Sequence, residues 1–163
     1  MCKAACCAAG LLASTLVQGE DLPAIALIID DMGNHASHGE HALSLDGRVT
    51  YAFLPHTPHA RRLAERAHRE GKEVMLHLPM DSHDGNQLGP GALTLHMTER
   101  AFKRTLNANI EAIPHVAGLN NHMGSLLTRH PGAMAWLMQV LDQRPGMFFI
   151  DRCIFSSSIC FTC

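Results

Sequence analysis

The chain has 163 residues, a formal net charge of -2 and hydrophobic side chains at 47% of its positions. That is about one domain with enough apolar material for a real core, and the scattered Lys and Arg residues argue against a nucleic-acid or polyanion footprint. Twelve histidines are many for this length, and a neutral imidazole both ligates metals and shuttles protons near neutral pH.

Residues 1–19 form a segment of their own. Met1-Cys2-Lys3 is followed by an Ala/Cys/Leu-rich run to Val17 and by Gln18-Gly19, which reads as a secretory signal cleaved after Gly19. A periplasmic or secreted protein is therefore expected, with an uncleaved anchor or a frayed Ala-rich helix as the alternatives. The run is too short to span a bilayer convincingly, and no other segment approaches the necessary length.

From Leu22 onward strand-like and helix-like segments alternate, the pattern of βα units on a mainly parallel sheet. Ala24 to Ile29, Val49 to Leu54, Glu73 to Leu78, Val116 to Leu119 and Met147 to Ile150 are the expected strands. Between them, Thr57-Pro58 offers a cap and first residue for a helix that Gly71 stops. Thr98 caps a helix with a Phe102, Leu106, Ile110 and Ile113 stripe, and Pro131 opens a third. The glycine-rich stretch Asp81 to Leu95 fits neither a phosphate loop nor a dinucleotide fingerprint, so it reads as turns or as a substrate-covering loop.

Strand C-termini of α/β sheets share one face, where ligand sites are built. Here that face collects Asp30 and Asp31, His77, Asn120-Asn121-His122 and Asp151. In an extended strand Asp30 and Asp31 point apart, so both reach one pocket only if the chain turns, for which Met32-Gly33 supplies the flexibility. Helix capping by Asp31 or Asn34 is the plainer use. Two His and one Asp form a usual set for a catalytic zinc with an open water position, which points to His77 and His122 with one carboxylate of the Asp30-Asp31 pair, although a His in a buried run is more often a core residue. His35, His38 and His41 lie at spacings of three on a helix and are expected to be exposed. His56 is better placed, directly after the second strand.

The six cysteines cluster at the two ends, so no disulfide framework holds residues 20 to 151. Cys160-Phe161-Thr162-Cys163 has CxxC spacing without the further ligands or the helix that such motifs need. Residues 152–163 are dense in Cys and Ser and read as a foreign or frame-shifted ending.

The segments ALIIDDMG, AFLPHTPHARRLAERAHREGKEVMLHLPM, LGPGALTLHM, GLNNHMGS and MFFID, in this order, resemble the divergent polysaccharide deacetylase family over about residues 22 to 151. The resemblance implies a β/α barrel of the carbohydrate deacetylase type, left incomplete at about five βα units, within residues 20–151. It implies a divalent metal, usually zinc, and a polysaccharide substrate whose N- or O-acyl groups are hydrolysed. Asp30 takes the place of the general base and Asp31 that of a metal ligand. His77 and His122 stand in for the superfamily's absent HxxxH motif, and Asp151 matches a second catalytic acid. Asn120, Asn121 and His56 are the expected substrate contacts. A non-catalytic envelope protein that binds carbohydrate on the same fold is the competing expectation, with a truncated fragment as the third.

Overall fold

The computed structural model describes residues 24–83 and 87–152. The signal-like segment and the cysteine-rich tail, with all six cysteines, lie outside them. Five strands form one sheet: β1 (Ile28–Met32), β2 (Thr50–Phe53), β3 (Glu73–Met80), β4 (Val116–Met123) and β5 (Phe148–Ile150). Four α-helices alternate with them: α1 (Ala36–Leu43), α2 (Ala60–Arg69), α3 (Glu99–Ala112) and α4 (Pro131–Leu141).

All four strand pairings are parallel and the strands lie in chain order, β1-β2-β3-β4-β5. An order without reversal is the winding of a β/α barrel, whereas a doubly wound sheet reverses at a switch point. The curvature agrees. Strands β1 and β4 are three spacings apart, about 14 Å in a flat sheet, yet Asn120 on β4 donates a hydrogen bond to Asp30 on β1 at 2.7 Å. Two short side chains cannot span that gap unless the sheet curls strongly. The architecture is the incomplete β/α barrel expected from the sequence.

Period-two alternation divides the strands cleanly. On β3, Val74, Leu76, Leu78 and Met80 join the core beneath the helices, together with Tyr51, Phe53 and Leu119. Met75, His77 and Pro79 therefore face the concave side. The helices close the convex side with the stripes expected of them: Ala60, Leu63, Ala64 and Ala67 on α2, Phe102, Leu106 and Ile110 on α3, and Leu137, Val140 and Leu141 on α4. Trp136 adds an edge-on contact with Phe102 at 5.7 Å between ring centroids.

Helix starts differ in detail from the sequence reading. Thr98 caps α3 by accepting from the Ala101 N–H, as expected. Helix α2 begins two residues later than Thr57-Pro58 suggests. Thr57 donates instead to the Leu54 carbonyl, and the His59 N–H is taken by the Gly33 carbonyl, so the chain turns once more before it winds. Pro131 does open α4, and the His130 ring caps it by accepting from the Ala133 N–H.

Strand β1 carries the largest departure. The expected strand ended at Ile29, but the observed one runs through both aspartates to Met32. The turn between the carboxylates is made by Asp31 itself, at φ 59°, where the β1–β2 register slips between Ile29 and Met32. Ile29 and Met32 consequently both pack on the core, and the two residues between them both face the concave side. Gly33 then has φ 122° and lies so close to α2 that a Cβ would sit 2.2 Å from the Thr57 hydroxyl. Gly33→Ala should therefore destabilise the fold by about 2 kcal/mol or more, measured as a lowered urea midpoint. A wild-type midpoint would show that β1 and α2 are not in this contact.

Candidate metal centre

The strands deliver their polar residues to one point. His77 and Asn120 are register partners on β3 and β4, and His122 follows two residues on. Strand β1 brings Asp30 and, through its bulge, Asp31. His77 is fully buried, His122 is 21% exposed and Asp31 is 61% exposed, so the cluster is closed below and open above. Pockets for catalytic metals need that opening for water or substrate.

A buried hydrogen-bond chain fixes the histidine. Asn120 Nδ2 donates to Asp30 Oδ1 at 2.7 Å, and this leaves Asn120 Oδ1 as the acceptor facing His77 Nδ1 at 2.9 Å. His77 accordingly carries its proton on Nδ1, and in the neutral ring Nε2 presents a lone pair to the centre of the cluster. There it meets Asp31 Oδ1 at 3.2 Å and His122 Nδ1 at 3.0 Å, while Asp31 Oδ1 and His122 Nδ1 are themselves 3.0 Å apart. Three electron-pair donors this close require a shared proton or a cation. Ligand atoms about 2.0–2.1 Å from a tetrahedral zinc lie about 3.3 Å from one another. The observed triangle fits a single ion to within a few tenths of an ångström, and its one carboxylate and two imidazoles suit zinc.

Electrostatics keep two of the donors in ligating form. When the His77 ring holds both protons, its hydrogen bond lowers the Asp31 carboxyl below its ordinary value, helped by the charges of His77, His122 and Arg152 and opposed by burial. Burial, then the charge of His77, pushes His122 below its ordinary value, against the attraction of Asp31. A depressed imidazole is a neutral one, the state in which it binds metal.

The remaining expected residues are placed differently. Asp30 Oδ2 pairs with Arg152 Nη1 at 3.0 Å, so both oxygens of Asp30 are engaged. Asn121 points away from the cluster, as its place next to Asn120 on a strand requires. It is buried, donates to the Met123 carbonyl and accepts from the Arg152 N–H at 2.6 Å, which ties β4 to the end of β5. Asp151 lies at the surface beyond β5, and partial burial of its carboxyl raises its pKa. His56 stands apart from the metal-type cluster, held by Asn109. His35, His38 and His41 are exposed, as expected. Neither Asp31 nor Asn34 caps α1, whose N-cap is His35 without a side-chain bond.

Beside the cluster lies a cleft of 320 Å³ that reaches Asp31 and His122. Leu54 and Pro55, from the turn after β2, form one wall, and Leu88 and Pro90, from the Asp81 to Leu95 loop, form another.

The model of the divergent polysaccharide deacetylase family matches residues 27–162. The chain is 34% identical over 127 residues to the uncharacterized protein YibQ of Escherichia coli, covering 78% of this chain and 40% of that protein. It is 28% identical over 135 residues to an uncharacterized protein of Haemophilus influenzae, covering 83% of this chain and 48% of the other. The chain therefore spans less than half the length of either relative. A crystal structure of an uncharacterized protein from Agrobacterium tumefaciens shares the fold, with a TM-score of 0.74 at 22% identity over 80% of this chain and 54% of that one.

Two outcomes follow from this geometry. Asn120→Ala frees the His77 ring and should weaken zinc binding by about 10- to 100-fold in a chelator competition, by loss of the hydrogen bond that orients the ring; unchanged affinity would refute the orienting chain. In the chelator-treated chain, His122 supports stability that is fully present above about pH 6.5 and is lost as pH falls through its depressed folded value. His122→Gln should flatten the fall in urea midpoint between pH 7 and 5, and an unaltered slope would show that His122 is not depressed.

Proposed function

Because the chain belongs to the divergent polysaccharide deacetylase family, we propose that it hydrolyses N- or O-acyl groups of a polysaccharide with a divalent cation, zinc by its donor set, held by Asp31, His77 and His122. The observation that carries this reading is the convergence of those three donors, with His77 turned by Asn120 so that a lone pair faces inward. A bound zinc would supply an activated water and polarise the acyl carbonyl. Asp31 and His122 meet it in their unprotonated forms, and the open side at Asp31 leaves room for the acyl group.

Asp30 is the proton acceptor in this reading. Its engagement by Asn120 and Arg152 holds the carboxylate beside the cluster, and proton uptake requires Arg152, 47% exposed, to give way. Asp151 is the second acid. Its raised carboxyl carries a proton more readily than an ordinary aspartate, which suits delivery to the leaving group. His122 is spent on the cation through Nδ1 and is not the donor. The signal-like residues 1–19 support placing this activity in the periplasm or outside the cell, where glycan polymers are the substrates. No helix among the described residues is long and apolar enough to cross a membrane.

A second reading, a carbohydrate-binding protein without turnover, is favoured by one observation, that both oxygens of Asp30 are already engaged. Acetate release from N- and O-acetylated glycan oligomers separates the two. Hydrolysis should require zinc and disappear in Asp31→Ala and His77→Ala, and Asp30→Asn should lower it by about 100-fold or more with metal retained. Glycan binding without acetate release from the zinc-loaded chain would establish the second reading instead.

A further inference from the structure

One of the buried polar groups outside the cluster caps no helix and joins two separate loops. Asn109 lies in the last turn of α3 with no exposed surface. Its amide is used at both ends. Nδ2 donates to the Gly91 carbonyl at 2.7 Å, so Oδ1 is the acceptor for His56 Nε2 at 2.9 Å. The two partners belong to different segments. His56 follows Leu54-Pro55, in the turn after β2, and Gly91 follows Leu88-Gly89-Pro90, in the loop after β3. These are the two walls of the cleft beside Asp31 and His122.

We infer that Asn109 is the positioning residue of this cleft: a single buried amide ties both walls to α3 and sets the width available to the sugar, without touching substrate or cation. Both partners adopt unusual backbone to meet it. His56 has φ 58° and Gly91 has φ 76°, a left-handed conformation that costs a residue with a side chain about 1 kcal/mol or more. Gly91 also approaches so closely that a Cβ there would sit 2.2 Å from Asn109 Oδ1 and 3.1 Å from the His56 ring. The contact therefore requires glycine at 91. The other ties of the loop lie away from the cleft wall, with Asp81 and Leu93 joined by a backbone hydrogen bond of 2.9 Å. Below Gly91 it is held by the Met80–Leu93 bridge, and on its leading side the His83 N–H donates to Ser125 Oγ at 3.1 Å. Among the described residues, the Asn109 bond is the tie nearest to Leu88 and Pro90 in sequence. An apolar residue at 109 would fill the same space in the helix but would leave the Gly91 carbonyl without its donor.

The kinetic consequence rests on the acyl-hydrolase reading, but the structural claim does not. The test is amide hydrogen exchange on the full chain, with zinc affinity measured alongside, for Asn109→Ala and Asn109→Asp. Asn109→Ala should speed exchange by about tenfold in residues 54–59 and 87–95, from the loss of two buried hydrogen bonds. Asn109→Asp keeps the acceptor for His56 and loses the donor to Gly91, so it should speed exchange in 87–95 alone. Zinc affinity should stay within about twofold in both, and KM for acetylated glycan should rise about tenfold with little change in kcat, as expected for a lost grip on substrate. Unchanged exchange in both segments would overturn the inference, as would exchange rising uniformly across the chain while zinc affinity falls. The expected exchange pattern in a chain that releases no acetate would support the clamp and refute the hydrolase reading.

Discussion

The Asn120 side chain bridges the Asp30 carboxylate on β1 and the His77 ring on β3, whose Nδ1 also lies 3.7 Å from Asp30 Oδ1. An amide has one donating and one accepting end, so the carboxylate decides which way Asn120 points, and Asn120 decides which nitrogen of His77 carries the proton. A change anywhere along this chain alters the lone pair offered at the cluster. The same bond measures the sheet, because it can form only if β1 curls back toward β4. Barrel curvature and metal-type geometry are two aspects of one constraint.

The second requirement is local strain. A regular strand would send Asp30 and Asp31 to opposite faces, and β1 avoids this with a bulge at a non-glycine residue of positive φ. Asp31, His56 and Met123, at or just beyond the ends of β1, β2 and β4, all adopt this conformation. Such strain, of order 1–3 kcal/mol per residue, persists where the surrounding packing over-determines it, and it gathers at functional sites. Gly33, pressed against Thr57 and Ala60, is part of that packing.

The apolar runs marked all five strands, and their period marked the helix stripes, because core burial leaves a strong pattern in any chain. The polar ends were harder. Strands β1 and β4 continue through Asp30-Asp31 and Asn120 to Met123, since the concave face of a curled sheet accepts polar side chains that a flat, covered sheet would exclude. His77, His122 and one aspartate of the pair were legible as a set from their chemistry and their place at strand ends, and the family resemblance singled out Asp31. Asn120 and Asn121 looked alike in the sequence, yet strand alternation gives one to the cluster and the other to the β5 junction. Asn109 carried no visible signal: a polar residue inside an apolar helix stripe declares its role only through partners 18 and 53 residues away.

The central claim is that Asp31, His77 and His122 form one three-ligand metal centre, and anomalous diffraction at the zinc absorption edge tests it most directly. Crystals grown with zinc should show a single strong peak bonded to Asp31 Oδ1, His77 Nε2 and His122 Nδ1. A peak elsewhere, such as at the exposed His35 and His38, with none between these three atoms would contradict it.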